Sequence, residues 1–181
     1  MFELFAYCTL QHHERYLNSH HGRYLNDCVA DYAANRNSLL EPAMPLTLVV
    51  TEGVIPKDRE ADTMSRLSEV FLKLHGLSGN KAMTPNVIGH VQVVAKGSSY
   101  SGLKPATVAI VEWKVPSFAF TDRDVQTSYI AQATEIIHEA SDRKHPKERI
   151  WVNVTHAVDG AWGIAGKAYT NAELGEIVSH A

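Results

Sequence analysis

The sequence predicts an α+β fold in which two tandem β-α-β units form a four-stranded sheet with two helices on one face. Three observations carry that prediction: an internal duplication, short β-branched runs that alternate with long amphipathic segments, and a glycine-rich break late in each half. The duplication is read from Pro45-Leu46-Thr47-Leu48-Val49-Val50-Thr51-Glu52, which lies over Pro105-Ala106-Thr107-Val108-Ala109-Ile110-Val111-Glu112. Ile55-Pro56 and Val115-Pro116 follow, then Asp58-Arg59-Glu60 and Asp122-Arg123-Asp124. A β-α-β unit joins two parallel strands by a right-handed crossover. With both helices on one face, the other face needs a cover, which predicts oligomerisation through it.

The elements follow in order. Leu46 to Thr51 reads as a strand. Pro56 opens a helix, where a missing N–H costs nothing. Ala61, Met64, Leu67, Phe71 and Leu74 recur at helical spacing and predict its apolar face. Gly76 is the stop. After a Gly/Ser/Asn/Pro loop, Val87 to Val94 is the second strand and Gly97-Ser98-Ser99 breaks it. In the second half, Thr107 to Val111 is a strand, and Thr121 caps a helix with Asp124 three residues on. Val125, Tyr129, Ala133, Ile136 and Ala140 make that helix's apolar face. Ile150 to Thr155 is the fourth strand. Thr170 and Glu173 form a capping box before a terminal helix carrying Leu174 and Ile177.

Composition sets limits on partners. The 181 residues are 45% hydrophobic and 20% charged, as in a globular domain that needs no disulfide or structural metal. A net charge of −3 leaves no basic field for nucleic acid. No apolar run is long enough for a membrane span. Cys8 and Cys28 do not make a disulfide framework, which fits a reducing, cytoplasmic setting. Residues 1–43 differ from the rest. His12-His13-Glu14-Arg15-Tyr16-Leu17-Asn18 is nearly repeated from His20 to Asn26, and no cysteine or carboxylate set completes a metal site. They are expected to be an extension, weakly ordered or outside the native product. Residues 44–181 are expected to form the domain, as units 44–104 and 105–181.

Met44-Pro45-Leu46-Thr47 followed by Glu52-Gly53 resembles the start of 4-oxalocrotonate tautomerase and its relatives. Val152-Asn153-Val154-Thr155 followed by Gly160-Ala161-Trp162-Gly163-Ile164-Ala165-Gly166 resembles the late strand and glycine-rich hairpin of that family. Ile150-Trp151-Val152 is similar to a strand of the cis-3-chloroacrylic acid dehalogenase group, also built from two fused units. The resemblance spans roughly residues 44–169 and implies a tautomerase-type fold assembled as a homotrimer, with no metal and no organic cofactor. It implies an isomerase acting on a small carboxylic acid, with Pro45 as catalytic base once the preceding residues are removed. On the same resemblance Lys114 stands in for a substrate-binding arginine, Trp162 for an aromatic wall and Arg149 for a second, displaced arginine. Asn153 falls in register with a strand tyrosine, and Tyr100, in the first hairpin, is a further residue expected to line the site. Val54 at the first-copy arginine position and Trp151 near the second depart from the family pattern. Two alternatives stay open: a non-catalytic trimeric binding protein on this scaffold, or a related dehalogenase or decarboxylase.

Overall fold

The computed structural model describes residues 43–81 and 83–179. The paired-histidine repeat and both cysteines lie outside the described residues. The elements run β1 (Met44–Thr51), a 3₁₀ turn (Lys57–Arg59), α1 (Glu60–Leu74), α2 (Met83–Asn86), β2 (Val87–Val94), β3 (Tyr100–Ser101), β4 (Lys104–Pro105), β5 (Ala109–Pro116), α3 (Arg123–Ala140), a second 3₁₀ turn (Lys147–Arg149), β6 (Ile150–Ala157), β7 (Trp162–Ile164), β8 (Lys167–Tyr169) and α4 (Asn171–Ser179). The α+β class is as the sequence predicts, with a four-stranded sheet in the order β2-β1-β5-β6. The outer pairs are parallel and the central pair, β1 with β5, is antiparallel.

Period-two alternation decides what the sheet buries. On β1, Met44, Leu46, Leu48 and Val50 are buried while Pro45, Thr47 and Val49 are only partly covered. On β5, Ala109, Val111, Trp113 and Val115 are buried and alternate with Ile110, Glu112 and Lys114. Leu67 and Phe71 of α1 and Tyr129, Ala133 and Ile137 of α3 complete one core with these strand residues. Both long helices therefore cover one face, and among the described residues no helix covers the opposite, open face. Arg66 ties the helices together through Glu139 at 2.6 Å, and Arg59 pairs with Asp142 beyond the end of α3.

Local differences from the sequence reading have physical causes. Pro56 precedes a 3₁₀ turn rather than the α-helix itself. The buried face of α1 is Glu60, Thr63, Leu67, Phe71 and Leu72, so Ala61 points outward. Thr63 is accepted there because its hydroxyl donates to the Arg59 carbonyl at 2.8 Å. The cap of α3 is Asp122, not Thr121: its carboxylate accepts from the N–H groups of Asp124 and Val125. The Thr170–Glu173 capping box forms as expected, with the Glu173 carboxylate accepting from the Thr170 N–H and the Thr170 hydroxyl accepting from the Glu173 N–H. β5 runs from Ala109 to Pro116 instead of Thr107 to Val111. Pro105 consequently lies in β4, opposite Tyr100 in a small hairpin, and is not the strand equivalent of Pro45. The proline-to-proline match of the two halves is offset from the structural repeat, whose burial patterns align Met44 with Ala109 and differ only where Val49 meets the exposed Lys114.

An aromatic group closes the core at the C-terminal end of α1. Phe71 stacks on Trp113 with centroids 4.3 Å apart, and His75 meets Phe71 at 4.3 Å and Phe120 at 4.8 Å. His75 Nδ1 donates to the Phe71 carbonyl at 2.9 Å, while its Nε2 is buried without a hydrogen-bond partner. Burial lowers the His75 pKa below its ordinary value, outweighing the upward pull of the Phe71 carbonyl. The unfolded chain then binds the proton more readily than the folded one. The stability this confers is complete above about pH 6.5 and is lost as pH falls through the depressed folded value. Urea melts at pH 7.5 and pH 5 are expected to show a steeper acid loss in the wild type than in His75→Phe. The gap should be under about 1 kcal/mol, because partial exposure of the ring screens its charge. Parallel losses in the two proteins would refute the assignment.

Candidate active site

Pro45 is the second residue of β1, a central strand. Proline lacks the N–H a ladder needs, and inside sheets it belongs at edges or at a strand's first residue. The β1–β5 pairing accordingly stops at Leu46 opposite Trp113, while β1 continues along β2 to Met44 opposite Val87. One further step of the antiparallel register sets Pro45 opposite Lys114. Leu46 and Trp113 are both buried on the helix side, so their neighbours Pro45 and Lys114 share the open face. Side chains directly opposed in this way have Cβ atoms about 5 Å apart. Ile88 flanks Pro45 on β2, and Thr155 flanks Lys114 on β6.

The next row across the open face is polar: His90, Thr47, Glu112 and Asn153, one from each strand in spatial order. Asn153 therefore lies on the same face as Pro45, one row further in. Beyond it come Gln92, Val49, Ile110 and Trp151, and both Ile88 and Trp151 are exposed large hydrophobics. Lys114 is exposed and Glu112 half-buried, and neither enters an ion pair among the described residues.

The remaining expected residues divide between the ends of the sheet. Trp162 begins the hairpin β7–β8, opposite Tyr169; this hairpin leaves β6 at the end that carries Lys114. Tyr100 is exposed in the β3–β4 hairpin, which follows β2 at the opposite end. Arg149 precedes Ile150, and its carbonyl accepts from His145 Nε2 at 3.0 Å. Six residues of strand separate it from Thr155, roughly 20 Å within one chain. The fold thus brings Pro45, Lys114 and Asn153 together on one face and leaves Arg149 and Tyr100 at the other end. Glu112 and His90 are face residues that the sequence reading did not place at the site. Their signal was the alternation of the strands, which sets Glu112 and Lys114 on one side of β5.

A cleft of about 270 Å³ is lined by residues that include Gly53, Val54, Pro56, Thr107, Ser141 and His145, and none of the expected site residues lines it. It lies beyond the C-terminal end of β1, away from Pro45. Among the described residues there is no group of three or more His, Cys, Asp or Glu side chains able to hold a metal ion, and no helix long and apolar enough to cross a membrane.

No family model matches the sequence, and no curated protein matches it. Solved structures do match. Pt0534 inactivated by 2-oxo-3-pentynoate is 14% identical with a TM-score of 0.57, over 71% of this chain and 98% of that one. Native fused 4-OT is 14% identical with a TM-score of 0.55, over 68% and 94%. A fused 4-OT symmetric trimer is 12% identical with a TM-score of 0.56, over 72% and 98%. The sheet order, the two helices on one face and these likenesses agree: the chain has the fold of the tautomerase superfamily, in the form in which two β-α-β units are fused in one polypeptide.

Proposed function

We propose that the protein is a cofactor-independent tautomerase that moves a proton between carbon and oxygen of a small 2-oxo or unsaturated carboxylic acid. The base is the Pro45 nitrogen, freed by removal of the residues before it. The observation that carries this reading is that Pro45, one step beyond the last β1–β5 pair, falls opposite a cation, Lys114, that forms no ion pair with a carboxylate among the described residues. A chain-terminal amine ordinarily titrates near 7.7–8. A neighbouring ammonium disfavours its protonated form and lowers that value, so the nitrogen keeps a lone pair at neutral pH. The same ammonium holds the substrate carboxylate and steadies the enolate that forms when the proton leaves. Asn153 offers a hydrogen bond one row away, and the Trp162 hairpin leaves the sheet at the same end as an aromatic wall. Arg149 and Tyr100 reach a site of this kind only from a neighbouring copy.

The exposed Ile88 and Trp151 favour assembly through the open face. A fused 4-OT forms a trimer, and three copies facing inward would dry the Pro45 pocket. A second reading, a non-catalytic trimeric binding protein, is favoured by Met44, which in the full chain is a buried strand residue that acylates Pro45.

Labelling with 2-oxo-3-pentynoate decides between them. The polypeptide beginning at Pro45 is expected to take up one equivalent, on the ring nitrogen of Pro45, as read by mass spectrometry of its N-terminal peptide. The 181-residue chain is expected to take up none there. An unlabelled Pro45 in the shorter protein would favour the binding protein.

A further inference from the structure

Resting on the proline reading above, we infer that the site accepts monocarboxylic acids and that Glu112 is the residue that turns away a second carboxylate. The charges around Pro45 are few. Lys114 lies opposite it, and the nearest charged neighbour of Lys114 on the same face is Glu112, two residues back along β5. Two residues of strand put them about 7 Å apart. Glu112 is flanked by Thr47 and Asn153, both neutral, and it makes no ion pair among the described residues. Beyond Lys114 in the other direction β5 ends at the buried Pro116, so a ligand held by Lys114 extends along the face toward Glu112.

Length and charge then select the substrate. An extended six-carbon diacid spans about the distance from Lys114 to Glu112. With one carboxylate on the lysine, its other would meet the glutamate, and two like charges in contact repel. A neutral tail meets no such charge and has the Asn153 amide and the Thr47 hydroxyl as partners. Rejection by a placed like charge is a common source of specificity. Arg149, the cation a diacid would need at its far end, is roughly 20 Å along the sheet in the same chain.

The test compares 2-hydroxypenta-2,4-dienoate with 2-hydroxyhexa-2,4-dienedioate in the protein beginning at Pro45. Calorimetric binding of 2-oxopentanoate and 2-oxohexanedioate gives a readout independent of turnover. The monoacid is expected to be favoured at least about tenfold in kcat/KM and in affinity, and Glu112→Gln is expected to lower that preference about tenfold. Asn153→Asp, which adds a carboxylate beside Glu112, should raise it. Should Glu112→Gln not fold, Asn153→Asp and the charge-retaining Glu112→Asp carry the comparison, the latter keeping the preference. A wild-type preference for the diacid, or a preference indifferent to these changes, overturns the inference and leaves the proline reading standing. Selective monoacid binding without turnover sinks the proline reading and leaves this one in place.

Discussion

A polypeptide that begins at Pro45 is expected to turn over a small enol acid about 10²- to 10⁴-fold faster than one that retains Met44, the range a positioned general base contributes. The two proteins share Lys114 and the open face, and the shorter one lacks Met44, a buried residue of the core. At the reacting atom they differ because a peptide bond from Met44 delocalises the nitrogen lone pair into an amide and leaves nothing to accept a proton. The pH profile supplies a second measure. For the shorter protein, kcat/KM should rise with pH through one ionisation below the ordinary range of a terminal amine, because Lys114 disfavours the charged form. Lys114→Ala should move that ionisation upward and raise KM together. Matched circular dichroism and oligomer size would exclude a folding difference between the long and short chains. Equal turnover by the 181-residue protein would show that the Pro45 nitrogen is not the base.

Much of this architecture is legible in the sequence, and what is hidden is hidden for one reason. β2 runs from Val87 to Val94 as its β-branched run predicts, and α3 buries Tyr129, Ala133, Ile136 and Ala140 at helical spacing. These are local patterns. The antiparallel register of β1 on β5 is not local: it joins residues 59 to 67 positions apart, and only the fold fixes it. Reading the halves as a simple repeat sets Pro105 over Pro45 and Lys114 over Val54. The structure instead sets Pro105 in a hairpin, and the β1–β5 register carried one step past its last pair sets Lys114 across from Pro45. Glu112, read only as a marker of the duplication, becomes a charge on the same face as the proline. β5 continues past its expected end at Val111 to Pro116, where Trp113 and Lys114 interrupt the β-branched run. Once paired, that tryptophan is a core residue.

Trp113→Ala is expected to cost about 3–5 kcal/mol, the range for losing a large buried aromatic, which is a large part of the 5–15 kcal/mol that holds a typical domain together. Trp113 is fully buried on the helix face of β5 and touches both long helices: it stacks on Phe71 of α1 and meets Tyr129 of α3 edge-on at 6.0 Å. Removing it opens a cavity where the two halves of the chain meet. Trp113→Phe should cost less than half as much, for two reasons. The ring keeps its stacking partner, and the indole N–H that disappears has no hydrogen-bond partner in good geometry. That N–H does sit near enough to the Tyr129 hydroxyl to offset a little of the upward shift that burial imposes on this phenol, whose own proton goes to the Leu67 carbonyl. A donor left in the core without an acceptor carries a desolvation cost of about 1–3 kcal/mol, which the phenylalanine variant escapes. Guanidinium melts at a fixed protein concentration, so that any assembly contributes equally, separate the two variants. If Phe proves as damaging as Ala, the indole N–H is bonded to Tyr129 after all, and the junction between the halves is held by a polar contact as well as by packing.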